Sequence, residues 1–400
     1  MWMVNMKRLL LICVVYALMI SGCYGRIEPH VSTDSGDYAS GGTGTDHGSD
    51  ALVTYEESEQ EPEIPLKELR FAPEQAKQIL IPDESGVVFI SAPRDLAALA
   101  TLVNSGDEWY RDFKYVLQNN INMSGIDFIP IGGTNEEGYS HSFEASFFGN
   151  SCLIQGLTIR NNGFESGTGL FGAVGPSGFL EDVHVVEANI KGQVCTGGIV
   201  GAMAGSMRAC SFRGKVSGSN DVGGLFGTAF SDGETPGSVS QCAANAEVTG
   251  FSTLGAFGGV ASVGVRITDC YALGSVTILE DDAYDRQGYI GGFLGQNTSD
   301  SLERCFAVTE VYTKISSDFV GAFIGYNAGT VLSCYFGDYL AGWDGVCYEA
   351  DSEIIADVTG CSVENITSQE TYLGWDFGGI WGIREGKNRG LPYLITISGE

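Results

Sequence analysis

Histidine is nearly absent from this chain: His30, His47, His141 and His184 are its whole complement. Only the last two fall where the composition is globular, so a Ser-His-Asp or Cys-His nucleophile has few candidate bases. His141 sits in a polar loop and is expected to be solvated. His184, in Asp182-Val-His-Val-Val, is expected on the exposed face of an alternating strand. No HExxH pair is present, which excludes the commonest zinc-protease signature. Basic residues are also few, 21 against 50 acidic ones, for a formal charge of −29. A chain without a basic footprint is not built for nucleic acid, nor for electrostatic adhesion to anionic lipid. No apolar run reaches the length of a comfortable membrane span.

The longest apolar run, Leu9 to Ile20, follows Lys7 and Arg8 and ends in Ile20-Ser21-Gly22-Cys23. A short basic region, about a dozen apolar residues and small residues at the end describe a secretory signal. The small-small-Cys ending resembles the lipobox of bacterial lipoproteins, so residues 1–22 read as signal and Cys23 as the acylated residue. A start at Met6 opens a better-formed signal than Met1. Residues 23–64 are rich in Gly, Ser, Thr, Asp and Glu, with Arg26 their single base. Such a composition cannot bury enough apolar surface to fold and reads as an acidic tether between lipid and body. The implied location is the bacterial cell envelope or surface, with the membrane reached through the lipid at Cys23.

What the chain has in abundance is glycine, 57 residues of it, in a recurring block. The blocks are Thr168-Gly-Leu-Phe-Gly172, Gly197-Gly-Ile-Val-Gly201, Gly223-Gly-Leu-Phe-Gly227, Gly255-Ala-Phe-Gly-Gly259, Gly291-Gly-Phe-Leu-Gly295 and Gly321-Ala-Phe-Ile-Gly325. They begin 29, 26, 32, 36 and 30 residues apart, the period of a stack of similar supersecondary units. The Gly255 block shifts the glycine pair, and the longest interval holds an insertion.

Between the blocks runs a second ladder: Cys210, Cys242, Cys270, Cys305 and Cys334, each opening a segment with the even spacing of one strand face. Their separations match no zinc pattern, and no histidine accompanies them. Small apolar thiols stacked on successive coils are expected to form an interior column. Cys347 and Cys361 bracket a loop near the C-terminus, where a disulfide and two free thiols are both open readings in an exported protein.

Residues 65–115 carry a helix signal. Ser91 is placed as cap, Pro93 early, and Leu96, Leu99, Leu102 and Val103 on one face, stopping before Asn104-Ser105-Gly106. Strands are expected over 115–117, 126–131, 143–148 and 153–159. An amphipathic helix ahead of a repeat stack suits a cap for its open apolar end.

The glycine blocks and Cys-Tyr/Phe-Ala segments, with Ile90-Ser-Ala-Pro-Arg-Asp-Leu, Phe128-Ile-Pro-Ile-Gly-Gly and Gly374-Trp-Asp-Phe, together resemble the GLUG-motif repeats of bacterial surface proteins. That group includes non-catalytic repeat regions of some IgA-peptidase-like proteins and filamentous adhesins. The resemblance covers roughly residues 88–396. It implies an all-β fold, a right-handed parallel β-helix over 116–336, with a small capping module over 337–400.

Chemistry is harder to find. Glu280, Asp281, Asp282 and Asp285 crowd one loop, an oxygen-rich cluster of the kind that can hold Ca²⁺, yet without EF-hand spacing. A solvated acidic loop is the favoured reading, and no cofactor or metal is expected. Phe251, Tyr284, Tyr289 and Trp343 are candidate turn aromatics for stacking on sugars, against the competing reading of ordinary packing. The expected function is non-catalytic adhesion or display toward glycan or protein ligands. A polysaccharide lyase or hydrolase using exposed carboxylates, and an inert envelope spacer, are the alternatives.

Overall fold

The computed structural model describes residues 67–135, 138, 140–160, 164–279, 288–313, 319–349 and 356–397, without the side chains of 135, 164, 341 and 349. Lipidation at Cys23, the tether, the acidic loop with Glu280, Asp281, Asp282 and Asp285, and Tyr284 lie outside the described residues. The body is a parallel β-solenoid of about eight turns, the all-β architecture expected from the repeats.

One coil shows the plan. Ser206–Arg208 is a short strand; Ala209 turns the corner, and Ser211–Ser217 is the long strand. Asn220–Gly223 leads into the arch Gly224-Leu225, and Phe226–Ala229 returns. Each strand pairs in parallel with its counterpart one coil away: Met207 with Leu180 and Val239, Val216 with Ile190 and Val248, Phe226 with Val200 and Gly258. The ladder is wider than the 116–336 span expected from the motifs. It starts at Val87–Ile90 and runs to Ala356–Cys361. Of the expected strands, 126–131 reduces to isolated bridges at Ile126, Asp127 and Ile131.

The glycine block is the arch. Its third residue, in the column Leu170, Ile199, Leu225, Phe257, Phe293 and Phe323, is fully buried, and Phe257, Phe293 and Phe323 stack at 4.4 and 5.0 Å. The closing glycine brings the returning strand against the backbone of the strand before the arch. A Cβ on Gly227 would stand 2.4 Å from the Cys195 carbonyl carbon and 2.5 Å from the Thr196 nitrogen. The Gly255 block keeps register after all, with Gly223, Gly255 and Gly291 paired. Its Gly258 occupies the Phe226 position because the Phe226 ring fills the space a Cβ would need, 2.4 Å away.

The cysteine column explains the corner. Ser151, Asp182, Ala209, Gln241, Asp269, Arg304 and Ser333 all adopt left-handed φ between 51° and 58°. The thiols of Cys210, Cys242, Cys270 and Cys305 each donate at 3.2 Å to the carbonyl two residues back, capping the bend. Their sulfurs also take part in the ladder: Cys210 N–H donates to Cys242 Sγ, and Cys242 N–H to Cys270 Sγ, both at 3.4 Å. Those carbonyls already accept the N–H of the corner residue on the preceding coil, so each thiol adds a second donor where a methyl group would only fill the space. Burial pushes the thiols of Cys270, Cys305 and Cys334 well above their ordinary range, so they stay protonated donors.

At the N-terminal side, helix α1 (Pro73–Ile79) and helix α2 (Pro93–Asn104) close the core, with Leu96, Leu99, Leu102 and Val103 buried. The cap residue of α2 is Ala92, not Ser91. Asp95 reaches back to accept from the Ser91 and Ala92 N–H groups at 2.8 and 3.0 Å, so a carboxylate does what the serine hydroxyl was expected to do. The C-terminal module packs on the outer face of the long strands. Trp381, Trp375, Tyr372, Leu391 and Leu394 cover Ala243, Tyr271, Leu273, Phe306 and Tyr335. Cys347 and Cys361 are not joined to each other in a disulfide; they stand on strands of two different sheets, Val346–Glu349 and Ala356–Cys361.

Candidate ligand-binding surface

Two outward columns meet along one side of the solenoid. The residue two before the first glycine of each block from Gly197 onward gives Cys195, Asp221, Thr253, Tyr289 and Phe319, whose carbonyls and neighbouring N–H groups run in register. The returning strands give Ala202, Thr228, Val260, Gln296, Tyr326 and Tyr348, each paired with the next. The columns touch: the Thr228 hydroxyl lies 3.4 Å from Cys195 Sγ, and the Tyr289 and Tyr326 rings lie 4.9 Å apart. The strip therefore changes character along the axis, small and polar first, aromatic in the last coils.

Its aromatic end is a four-ring cluster. Tyr289 meets Phe319 at 5.2 Å, Tyr326 stacks on Tyr348 at 5.6 Å and 15°, and Phe319 meets Tyr348 at 6.0 Å. Tyr348 is 47% exposed, and the other three are half-buried. Of the aromatics picked from the sequence, only Tyr289 joins this cluster. Phe251 is half-buried in the turn after the long strand, and Trp343, 39% exposed, precedes Val346–Glu349; neither has a ring contact among the described residues. Phe319 and Tyr326 were readable from the motif, since they hold the same offsets from Gly321 and Gly325 as Tyr289 and Gln296 do from their block. Tyr348 has no glycine block to align it.

The polar end holds one unusual acid. Burial, partly offset by a hydrogen bond from Thr228, lifts the Asp221 carboxyl to about 7. Because its native value is raised, the native state keeps a proton that the unfolded chain gives up, and stability falls as pH rises from about 4 to 7. Asp221→Asn keeps an acceptor for Thr228 and removes that penalty. Denaturant melts should show it more stable by about 1–2 kcal/mol at pH 8, the side chain being partly exposed, and nearly neutral at pH 4. Equal effects at both values would mean that the carboxyl is ionised throughout.

A second constellation corrects both histidine expectations. His184 is buried, 1% exposed, with Nε2 2.8 Å from Asp182 Oδ1 and Nδ1 2.9 Å from Ser211 Oγ. Asp182 also accepts from the Ser151 N–H and hydroxyl one coil earlier. The order Asp-His-Ser is that of a nucleophilic triad, but the Ser211 N–H donates to the Val183 carbonyl at 2.9 Å and so offers nothing to an oxyanion. The network reads as a buried tie across three coils. The His141 ring is half-buried beside Gly106, and burial lowers its pKa.

One corner carboxylate is firmly engaged. Asp269, 4% exposed, takes a two-pronged bond from Arg304 at 2.8 and 2.9 Å and the Trp381 indole N–H at 3.1 Å. Among the described residues no group of three metal-ligating side chains converges, and no helix is long and apolar enough to cross a membrane.

No family model matches the chain. It is 32% identical over 129 residues to halomucin of Haloquadratum walsbyi, a match covering 30% of this chain and spanning about 1% of that protein's length. A crystal structure from Bacteroides ovatus, described provisionally as an immunoglobulin A1 protease, superposes with a TM-score of 0.59 at 21% identity, over 79% of this chain and 94% of that one. At that identity the likeness speaks to fold: this chain is a β-helix repeat protein.

Proposed function

We propose that this is a non-catalytic surface-display protein of the GLUG-repeat type, carried to the cell envelope by its signal and held there through lipid at Cys23. The acidic tether sets the solenoid off from the membrane, and the solenoid presents a lateral strip to glycan or protein ligands. The observation that carries this reading is the aromatic end of the strip, where Tyr289, Phe319, Tyr326 and Tyr348 on successive coils stay partly exposed, while Cys195, Ala202, Thr228 and Thr253 on the earlier coils are buried. The likeness to a stretch of halomucin supports display of repeats.

At the corner column, Asp269 and Glu303 are close but both held by the Arg304 guanidinium, which speaks against glycoside cleavage there. Asp182 and Asp269 share one corner column but stand three coils apart, about 14 Å at strand spacing. Hydrolysing pairs sit about 5–9.5 Å apart. Asp269 is moreover locked to Arg304 and Trp381.

A glycan and matrix-protein array read for both retention and product tests the proposal. Retention without cleavage is the expected result. Released product would replace adhesion by an enzyme reading, and absence of any retention would leave the spacer reading in its place.

A further inference from the structure

We infer that the ring cluster Tyr289, Phe319, Tyr326 and Tyr348 is a stacking platform for an uncharged polysaccharide. This deepens the adhesion reading and rests on it. The columns that supply these rings hold Ala, Cys, Thr, Asp, Val and Gln on the earlier coils, so aromatics are confined to the last ones. Each ring comes from an outward position, where the solenoid core gains nothing from it. Tyr326 and Tyr348 lie on adjacent paired strands and stack on each other, 5.6 Å and 15° apart, so Tyr326 backs the Tyr348 ring and holds it in place at the open end of the stack. Tyr348 remains half exposed after all its ring contacts are made.

The chemistry of the patch selects the ligand. Tyrosines offer an apolar face for the C–H side of a sugar ring and a hydroxyl for its polar edge. Bases of single-stranded nucleic acid would stack equally well, but they bring phosphates that a chain of charge −29 repels. Acidic polysaccharides meet the same repulsion. A protein partner needs about 800 Å² on each side, whereas four half-covered rings of about 150–250 Å² each offer only about half of that. A neutral sugar chain needs no more than the platform.

The test uses the full-length chain, a panel of neutral polysaccharides with acidic ones as comparison, and affinity measured by titration. The neutral panel should contain a binder that the acidic panel lacks. Tyr348→Ala should weaken it about tenfold and Tyr326→Ala/Tyr348→Ala about a hundredfold. Trp343→Ala, which changes an exposed ring outside the cluster, should leave affinity within about twofold. Unfolding is checked by thermal melts, and Tyr348→Phe, which keeps the ring, should retain most of the binding. Neutral-glycan binding that ignores Tyr326 and Tyr348 overturns the platform while leaving adhesion intact. Retention of protein ligands alone, or of acidic glycans, overturns the ligand class. Failure to bind any glycan or protein overturns the adhesion reading as well.

Discussion

Gly227→Ala should destabilise the solenoid by at least about 3 kcal/mol, and in a chain this tightly laddered it is expected to abolish folding at 37 °C. The added methyl meets backbone rather than a side chain: the Cys195 carbonyl carbon, the Thr196 nitrogen and the Gly201 oxygen, all within 2.7 Å. Those atoms belong to the neighbouring coil's arch, itself paired on both sides, so none can retreat without breaking its own ladder. Gly233→Ala is the matched control. It sits at φ +85° with nothing within 4 Å, so it should cost only about 1–2 kcal/mol of left-handed strain. Denaturant melts of the two variants compare them directly. A Gly227→Ala protein as stable as Gly233→Ala would show that the arch can open.

Trp381→Ala should free the C-terminal module from the flank while leaving the coils folded. The indole is fully buried against Trp375 at 4.5 Å, Phe306 at 5.9 Å and Tyr271 at 6.2 Å, and its N–H meets Asp269. Deleting a buried tryptophan costs about 3–5 kcal/mol, more than one small module of marginal core can lose. Since each coil leans mainly on its neighbours, the loss should stay local. Protease cleavage should appear within 362–397, with apolar-dye binding to the uncovered Tyr271, Leu273, Phe306 and Tyr335, and far-UV signal largely retained. Unchanged protection of that segment would mean that the module is held elsewhere.

The repeat was legible because glycine at the arch and cysteine at the corner answer steric and hydrogen-bonding demands that recur on every coil. What escaped was set across coils or across the fold. His184 alternates along its strand like a solvent-facing residue, and only its coil neighbours Ser151 and Ser211 reveal the buried tie. Ser91 looked like a helix cap because the sequence does not say that Asp95 will turn back. Of the cluster, the sequence marks Tyr289 alone, since an aromatic cluster requires the lateral register that sets Tyr326 and Tyr348 beside it. The C-terminal aromatics were seen as a module, but not the flank they cover.

The strands that lead into the arches are not equally long. Asn220–Gly223 has four residues, while Leu254–Gly255, Ile290–Gly291 and Val320–Gly321 have two each. A pull between the α2 end and the Tyr348 ring would cross every coil junction in turn, like weight on a chain of links. The hydrogen bonds joining coils point along that line, so they are stretched rather than sheared. Yielding would then begin where Val331–Gly337 joins the coil before it through only two residue pairs to each strand, and the first segments to part would be those nearest whatever the rings hold.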